Sequence, residues 1–260
     1  MTDLRTRYEA DGFVLVQEPV LSPDLVAAAR AGLEAVRDGR YDTARAPYAS
    51  PWTPGDDPDA LCKIEMPHLA SRALQAVARH PGIGAAAAAI TGAERVQVWW
   101  AQLLYKPPAT RPDARTRVGW HQDYQYWASD WESPDGLLTA WVALSDVTAE
   151  SGPVRFVPGS HRWGDRRAGD FFETDLEAQR VGLTPPPGDE WVEVLGVLPE
   201  GGLSFHHSLT YHGSTENRTS APRCSLVLHL CTERARPRAE GGLLAGFLGD
   251  SVATPTLHGG

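Results

Sequence analysis

From Val96 onward the chain changes character. Six short stretches rich in β-branched and aromatic residues follow one another, at Val96 to Tyr105, Leu137 to Leu144, Val154 to Val157, Trp191 to Val197, Gly202 to Phe205 and Cys224 to Cys231, separated by glycine and proline turns. Ahead of them the pattern is helical. Asp11-Gly12 turns into a first strand at Phe13 to Val16, and Ser22-Pro23-Asp24 supplies an N-cap, an N1 proline and a first-turn acid for a helix reaching about Asp38. An alanine-rich helical region, Leu69 to Ile90, is interrupted at Pro81-Gly82, while Tyr41 to Pro58 reads as a loop. Helices first and many short strands afterwards predict an α-flanked β-sandwich or jelly roll.

At 260 residues one substantial core is expected. The predicted organisation is a single domain over 1–260, with a helical flank and a first strand in 1–95, a β core in 96–235 and a C-terminal tail in 236–260. Gly164 to Pro187 is a long charged insertion within the strand series, expected to be a lid or a mobile loop. A net charge of −9 argues against nucleic acid and anionic membrane as partners and favours a small-molecule substrate. The three cysteines, Cys62, Cys224 and Cys231, form no CxxC pair, so the cytoplasm is the expected compartment. No apolar signal core follows Met1, and the apolar run from Gly84 to Ile90 is too short to span a bilayer.

Within this frame, Trp120-His121-Gln122-Asp123 and the distant Tyr211-His212-Gly213-Ser214 carry the chemistry. An imidazole and a carboxylate two residues apart project alike from a strand, and an imidazole from a second strand completes a three-ligand face on one metal ion. Two histidines and one carboxylate with open positions suit non-haem iron(II). Alone, an HxD pair arises often by chance in solvated turns. His212, however, lies in a Gly/Ser/Thr/Asn-rich segment that gives it no packing role, and Arg223 opens an apolar strand where a guanidinium needs an anion.

Three blocks together resemble the phytanoyl-CoA dioxygenase-like branch of the iron(II)/2-oxoglutarate-dependent oxygenases. They are Trp120 to Asp123 with Tyr126-Trp127 behind; Thr139 to Leu144 through Gly152-Pro153 to Pro158-Gly159-Ser160-His161; and Phe205-His206 through His212-Gly213-Ser214, Asn217 and Arg223. The resemblance runs from Asp11 to about Leu230. It implies a mainly β fold, a double-stranded β-helix (cupin-like jelly roll) with flanking N-terminal α-helices. It also implies Fe(II) on His121, Asp123 and His212, with 2-oxoglutarate and O2 as co-substrates. Arg223 would grip the far carboxylate of the oxo acid bidentately, with the Ser214 hydroxyl as a second donor. Gln102, Trp141 and Lys63 align with oxo-acid contacts; core packing for Trp141 and a surface charge for Lys63 are the plain alternatives.

His206 and His207 are read as filling the barrel mouth and His161 as a structural hydrogen-bonder at a turn, while His68, His80, His229 and His258 have no constellation. The aromatic cluster of Trp120, Tyr124, Tyr126, Trp127 and Trp131 predicts a pocket for an apolar or ring-bearing substrate. An intact Asp123 disfavours the halogenases of the resembling class, which replace that carboxylate. Hydroxylation is the leading outcome, with epimerisation, cyclisation and desaturation open to the same site. The rival readings are a cupin-like metal isomerase or hydrolase, which has no use for Arg223 and Ser214, and a non-catalytic binding relative.

Overall fold

A computed structural model of the chain describes residues 2–111, 115–239, 247 and 249–260. Four helices precede or interleave the first strands: α1 (Thr2–Asp11), α2 (Pro23–Arg37), α3 (Arg72–Ala78) and α4 (Pro81–Thr91). Helix α2 starts where predicted, with Ser22 Oγ accepting the Leu25 N–H at 3.3 Å, and its buried face, Val26, Ala29, Leu33 and Val36, follows the helical period. Pro81 begins a new helix instead of kinking one, because proline fits the first helical position. The Phe13–Val16 strand, β1, also forms as expected.

Two antiparallel sheets form the body. The larger has seven strands, ordered β1, β8 (Leu203–His207), β5 (Leu137–Ala143), β10 (Arg223–Thr232), β3 (Val96–Lys106) and β11 (Thr256–His258), with β2 (Cys62–Glu65) also paired to β3. The smaller runs β4 (Val118–His121), β9 (His212–Ser214), β6 (Val154–Phe156), β7 (Val194–Leu195). Alternation along β3 divides the interior. Ala101 and Leu103 pack outward under the helices with Leu226 and Phe205, while Leu104 faces inward with Trp141 and Val227, against Val154 and Phe156 of the smaller sheet. This is the double-stranded β-helix expected from the sequence.

Strands β2 and β11 are additions to the predicted set, while β4 and β9 are the two strands expected to carry His121 and His212. At β7 only two residues pair, because Trp191 leaves the sheet to pack edge-on against Trp120, ring centroids 5.0 Å apart. The insertion lies against β4: Gly119 N–H donates to Phe171 O at 3.0 Å and Asp170 N–H to Trp120 O at 3.1 Å. Gln179, in a further short helix, α6 (Leu176–Gly182), brackets Trp120 by accepting its N–H at 2.6 Å and donating to its carbonyl at 2.8 Å. Such an approach requires glycine at position 119, where a Cβ would stand 2.0 Å from Asp170 O.

Candidate active site

Antiparallel pairing of β4 with β9 sets His121 opposite His212, and their rings stand 4.1 Å apart, centroid to centroid. The expectation that Asp123 projects from the same strand as His121 is corrected: β4 ends at His121, and Asp123 is helical (φ −57, ψ −40) at the start of α5 (Tyr124–Trp127). Gln122 makes the bend, donating to Leu209 O at 2.7 Å and Gly164 O at 3.0 Å while accepting the Arg166 N–H at 3.0 Å. The carboxylate therefore arrives through a turn, not through the pleat. Its Oδ1 lies 3.6 Å from Nε2 of both His121 and His212, and one ligand atom from each of the three residues falls within 4.8 Å of the others.

Backbone acceptors orient both rings. Nδ1 of His121 lies 2.8 Å from Gly119 O, and Nδ1 of His212 lies 3.0 Å from Thr210 O. A carbonyl only accepts, so each Nδ1 carries the proton and each Nε2 turns a lone pair toward Asp123. Burial, then the neighbouring His121 and His206, hold His212 well below the usual imidazole range. Burial would raise Asp123, but the surrounding rings of His212, His121 and His206 hold it well below the carboxylate range. Neutral imidazoles and an ionised carboxylate are the forms that bind metal.

The other oxygen of Asp123 is also held. Thr139 Oγ1 donates to Oδ2 at 2.7 Å, and His206 Nε2 lies 3.1 Å from the same atom. Because the Thr139 hydrogen is committed, its oxygen accepts from Nδ1 of His229 at 3.0 Å. Register explains the convergence: Thr139 on β5 is the cross-strand partner of both His206 on β8 and His229 on β10.

Beyond the histidines lies a narrow inner cavity of about 50 Å³, lined by Gln102, Trp141, Ser214 and Arg223 as well as the three metal-ready residues. Arg223 is 1% exposed. Its NH1 donates to Gly152 O at 2.6 Å, its Nε has no partner, and its guanidinium stands 5.1 Å from the centre of Trp141. Among the described residues no carboxylate pairs with it; burial lowers it to about 10, which still leaves a cation at neutral pH. A buried cation without an anion is a demand for one.

An outer cavity of about 310 Å³ adjoins the inner one, and Gln102, His121, Asp123, Phe171 and His229 line both. Its walls are aromatic: Tyr48, Trp99, Trp100, Tyr126, Trp127 and Phe171. Lys63 belongs to this chamber and does not line the inner one. Its Nζ pairs with Glu65 at 2.9 Å and sits 4.8 Å above the Phe171 ring, while Glu65 also accepts the Trp100 indole N–H at 2.6 Å. The structure thus gathers His121, Asp123, His212, Arg223, Ser214, Gln102 and Trp141 around one space and sets Lys63 on the wall of the next. Thr139, His206, His229 and Glu65 escaped the sequence reading as site residues.

The residues fit a ferrous ion with an anionic chelator: two neutral nitrogen donors and one carboxylate on one side, an anion-seeking guanidinium on the other. In a jelly roll that combination defines an iron(II)- and 2-oxoglutarate-dependent non-haem dioxygenase, and the protein is an enzyme of this class. Residues 8–225 match the family model of phytanoyl-CoA dioxygenase (PhyH), and the chain belongs to that family. It is 29% identical over 232 residues to the ectoine dioxygenase of Bordetella parapertussis, covering 85% of this chain and 72% of that protein. Among solved structures, it resembles the epimerase SnoN in complex with Fe3+, alpha ketoglutarate and nogalamycin RO, with TM-score 0.71, 27% identity, and coverage of 93% of this chain and 87% of that one. EctD from S. alaskensis shares the fold at TM-score 0.65 and 21% identity, over 89% of this chain and 77% of its own.

Proposed function

We propose that the protein hydroxylates a small, ring-bearing or alkyl metabolite seated in the outer cavity, consuming O2 and releasing succinate and CO2. The carrying observation is the pair of adjoining chambers: an inner one that ends on Arg223 and an aromatic outer one, meeting at His121 and Asp123. In this reading His121, Asp123 and His212 hold iron(II), and Arg223 and Ser214 receive the distal carboxylate of 2-oxoglutarate, flanked by Gln102 and Trp141. Lys63, on the outer wall, is placed to meet the substrate more than the oxo acid. When bound, iron and oxo acid together reduce O2 to the oxidant that attacks a C–H bond.

The chain's own work is orientation and exclusion of water. Gly119 O and Thr210 O fix the two imidazoles, Thr139 and His206 hold the carboxylate, and Phe171, docked by its backbone to Gly119 and to the Tyr126 hydroxyl at 2.8 Å, closes one side of the metal face. Aromatic walls would press an apolar ring toward that face. Three buried, unbridged cysteines support a reducing, cytoplasmic setting, and no helix among the described residues is long and apolar enough to cross a membrane.

The test is O2 uptake and succinate formation with iron(II), 2-oxoglutarate and a panel of small cyclic metabolites. Substrate-stimulated turnover in the wild type and its loss in Arg223→Ala are expected; equal oxo-acid consumption by the variant would overturn the assignment of Arg223. Likeness to an epimerase favours epimerisation as the second reading. Labelled O2 separates the two, since a hydroxylated product carries the label and an epimer does not.

A further inference from the structure

Lys106 ends β3 fully buried, directly across the β10–β3 ladder from Arg223. Its Nζ donates to Ser214 Oγ at 2.6 Å and to the carbonyl of Thr215. Among the described residues it pairs with no carboxylate; the nearby Glu216 is committed to Arg117 at 2.9 Å and to Arg218 at 2.7 Å. Burial, then the Arg223 charge, press the amine well below the ordinary lysine range. Two cations side by side in the interior are a burden on the fold, where apolar side chains of the same length would be more stable. The arrangement makes sense if an anion completes it.

We propose that Lys106 is a positioning residue of the co-substrate site, which by donating to Ser214 Oγ leaves the Ser214 O–H free to point into the inner cavity beside Arg223. A hydroxyl has one hydrogen and two lone pairs. In its protonated form, the one an anion docked beside Arg223 favours, the amine has no lone pair, so it occupies the acceptor side of Oγ and cannot receive the Ser214 hydrogen. Ser214 lines the inner cavity and Lys106 does not; the lysine therefore acts from behind, through the serine. Hydroxyl and guanidinium then form a seat for a second carboxylate, and an anion docked there keeps the lysine protonated in turn. The consequence is a preference for dicarboxylic oxo acids over monocarboxylic ones with the same keto-acid head. This inference rests on the reading of the inner cavity as the 2-oxoglutarate site.

The experiment is a double-mutant cycle on metal-loaded protein without oxygen, with affinities for 2-oxoglutarate and for 2-oxobutyrate, which lacks the distal carboxylate, measured by calorimetry. Lys106→Met is expected to lose about tenfold in affinity for 2-oxoglutarate, the size of one charge-assisted hydrogen bond, and nothing for 2-oxobutyrate. In a Ser214→Ala background the same change is expected to add no further loss. The ligand-free melting temperature of Lys106→Met should equal or exceed that of the wild type. Equal losses for both oxo acids, an undiminished loss without Ser214, or no loss at all would overturn the proposal. Should Lys106→Met not fold, Lys106→Gln, too short to reach Oγ, is held to the same outcomes. Failure of the wild type to bind 2-oxoglutarate would instead sink the reading of the cavity itself.

Discussion

The hydroxyl of Thr139 donates to Oδ2 of Asp123 across 2.7 Å, and this bond decides which carboxylate oxygen faces His121 and His212. With Oδ2 also 3.1 Å from His206, only Oδ1 is left for the space it shares with the two Nε2 atoms. Thr139→Val keeps the shape and removes the donor. Supporting groups of this kind are worth about 10- to 100-fold in metal affinity, and a loss in that range is expected in an iron(II) or manganese(II) titration of a variant whose circular dichroism is unchanged.

Phe171 lines both chambers, and its ring centroid is 5.2 Å from that of His121. Phe171→Ala should merge the chambers. Discrimination between substrates differing by one methylene is expected to fall by about tenfold, the scale of a single apolar pocket contact, with more succinate formed per product molecule. Paired succinate and product assays read both effects.

At Gly119 an added Cβ would meet backbone oxygen at 2.0 Å, so neither partner has a flexible end that can yield. Gly119→Ala should cost about 1 to 3 kcal/mol and release the insertion from β4. Urea denaturation gives the first quantity, and faster proteolysis within 164–187 than elsewhere reports the second.

His68 is wholly buried, with Nε2 2.9 Å from Ala253 O and Nδ1 unpartnered. Burial lowers it from 6.5 to about 4. The folded state therefore favours the neutral ring, and its contribution is complete above pH 6.5 and is lost as pH falls from 6.5 toward 4, about 3 kcal/mol over the window. His207 and His229, also lowered to about 4 by burial, act in the same direction. Stability by urea titration should fall steeply from pH 7 to pH 4, and less steeply in His68→Gln.

Most of the larger sheet was legible because β3, β5 and β10 are long apolar runs bounded by turn residues. The strands β4 and β9 could be placed only through the histidines they carry, since Val118–His121 and His212–Ser214 are too short to show a period. The His121, Asp123 and His212 cluster could be named from its motif, yet the way Asp123 reaches it could not: that depends on Gln122 bonding to Leu209 and Gly164, contacts 87 and 42 residues away in sequence. His206 and His229 looked idle because the strands carrying them are buried on both faces, which hides the inward one; only the register through Thr139 shows that they meet. Lys63, which the family resemblance sets at the oxo acid, pairs with Glu65 on the wall of the outer chamber, a contact its sequence neighbourhood does not reveal.

The measurement that bears most directly on the account is a stepwise anaerobic calorimetric titration, first with iron(II) and then with 2-oxoglutarate. The wild type should take up one equivalent of each. Asp123→Ala and His212→Ala should fail to hold iron, while Arg223→Ala should hold iron and bind the oxo acid at least about 10-fold more weakly, as expected for loss of a bidentate charged pair. Iron and oxo-acid binding that is the same in the wild type and in all three variants would contradict it.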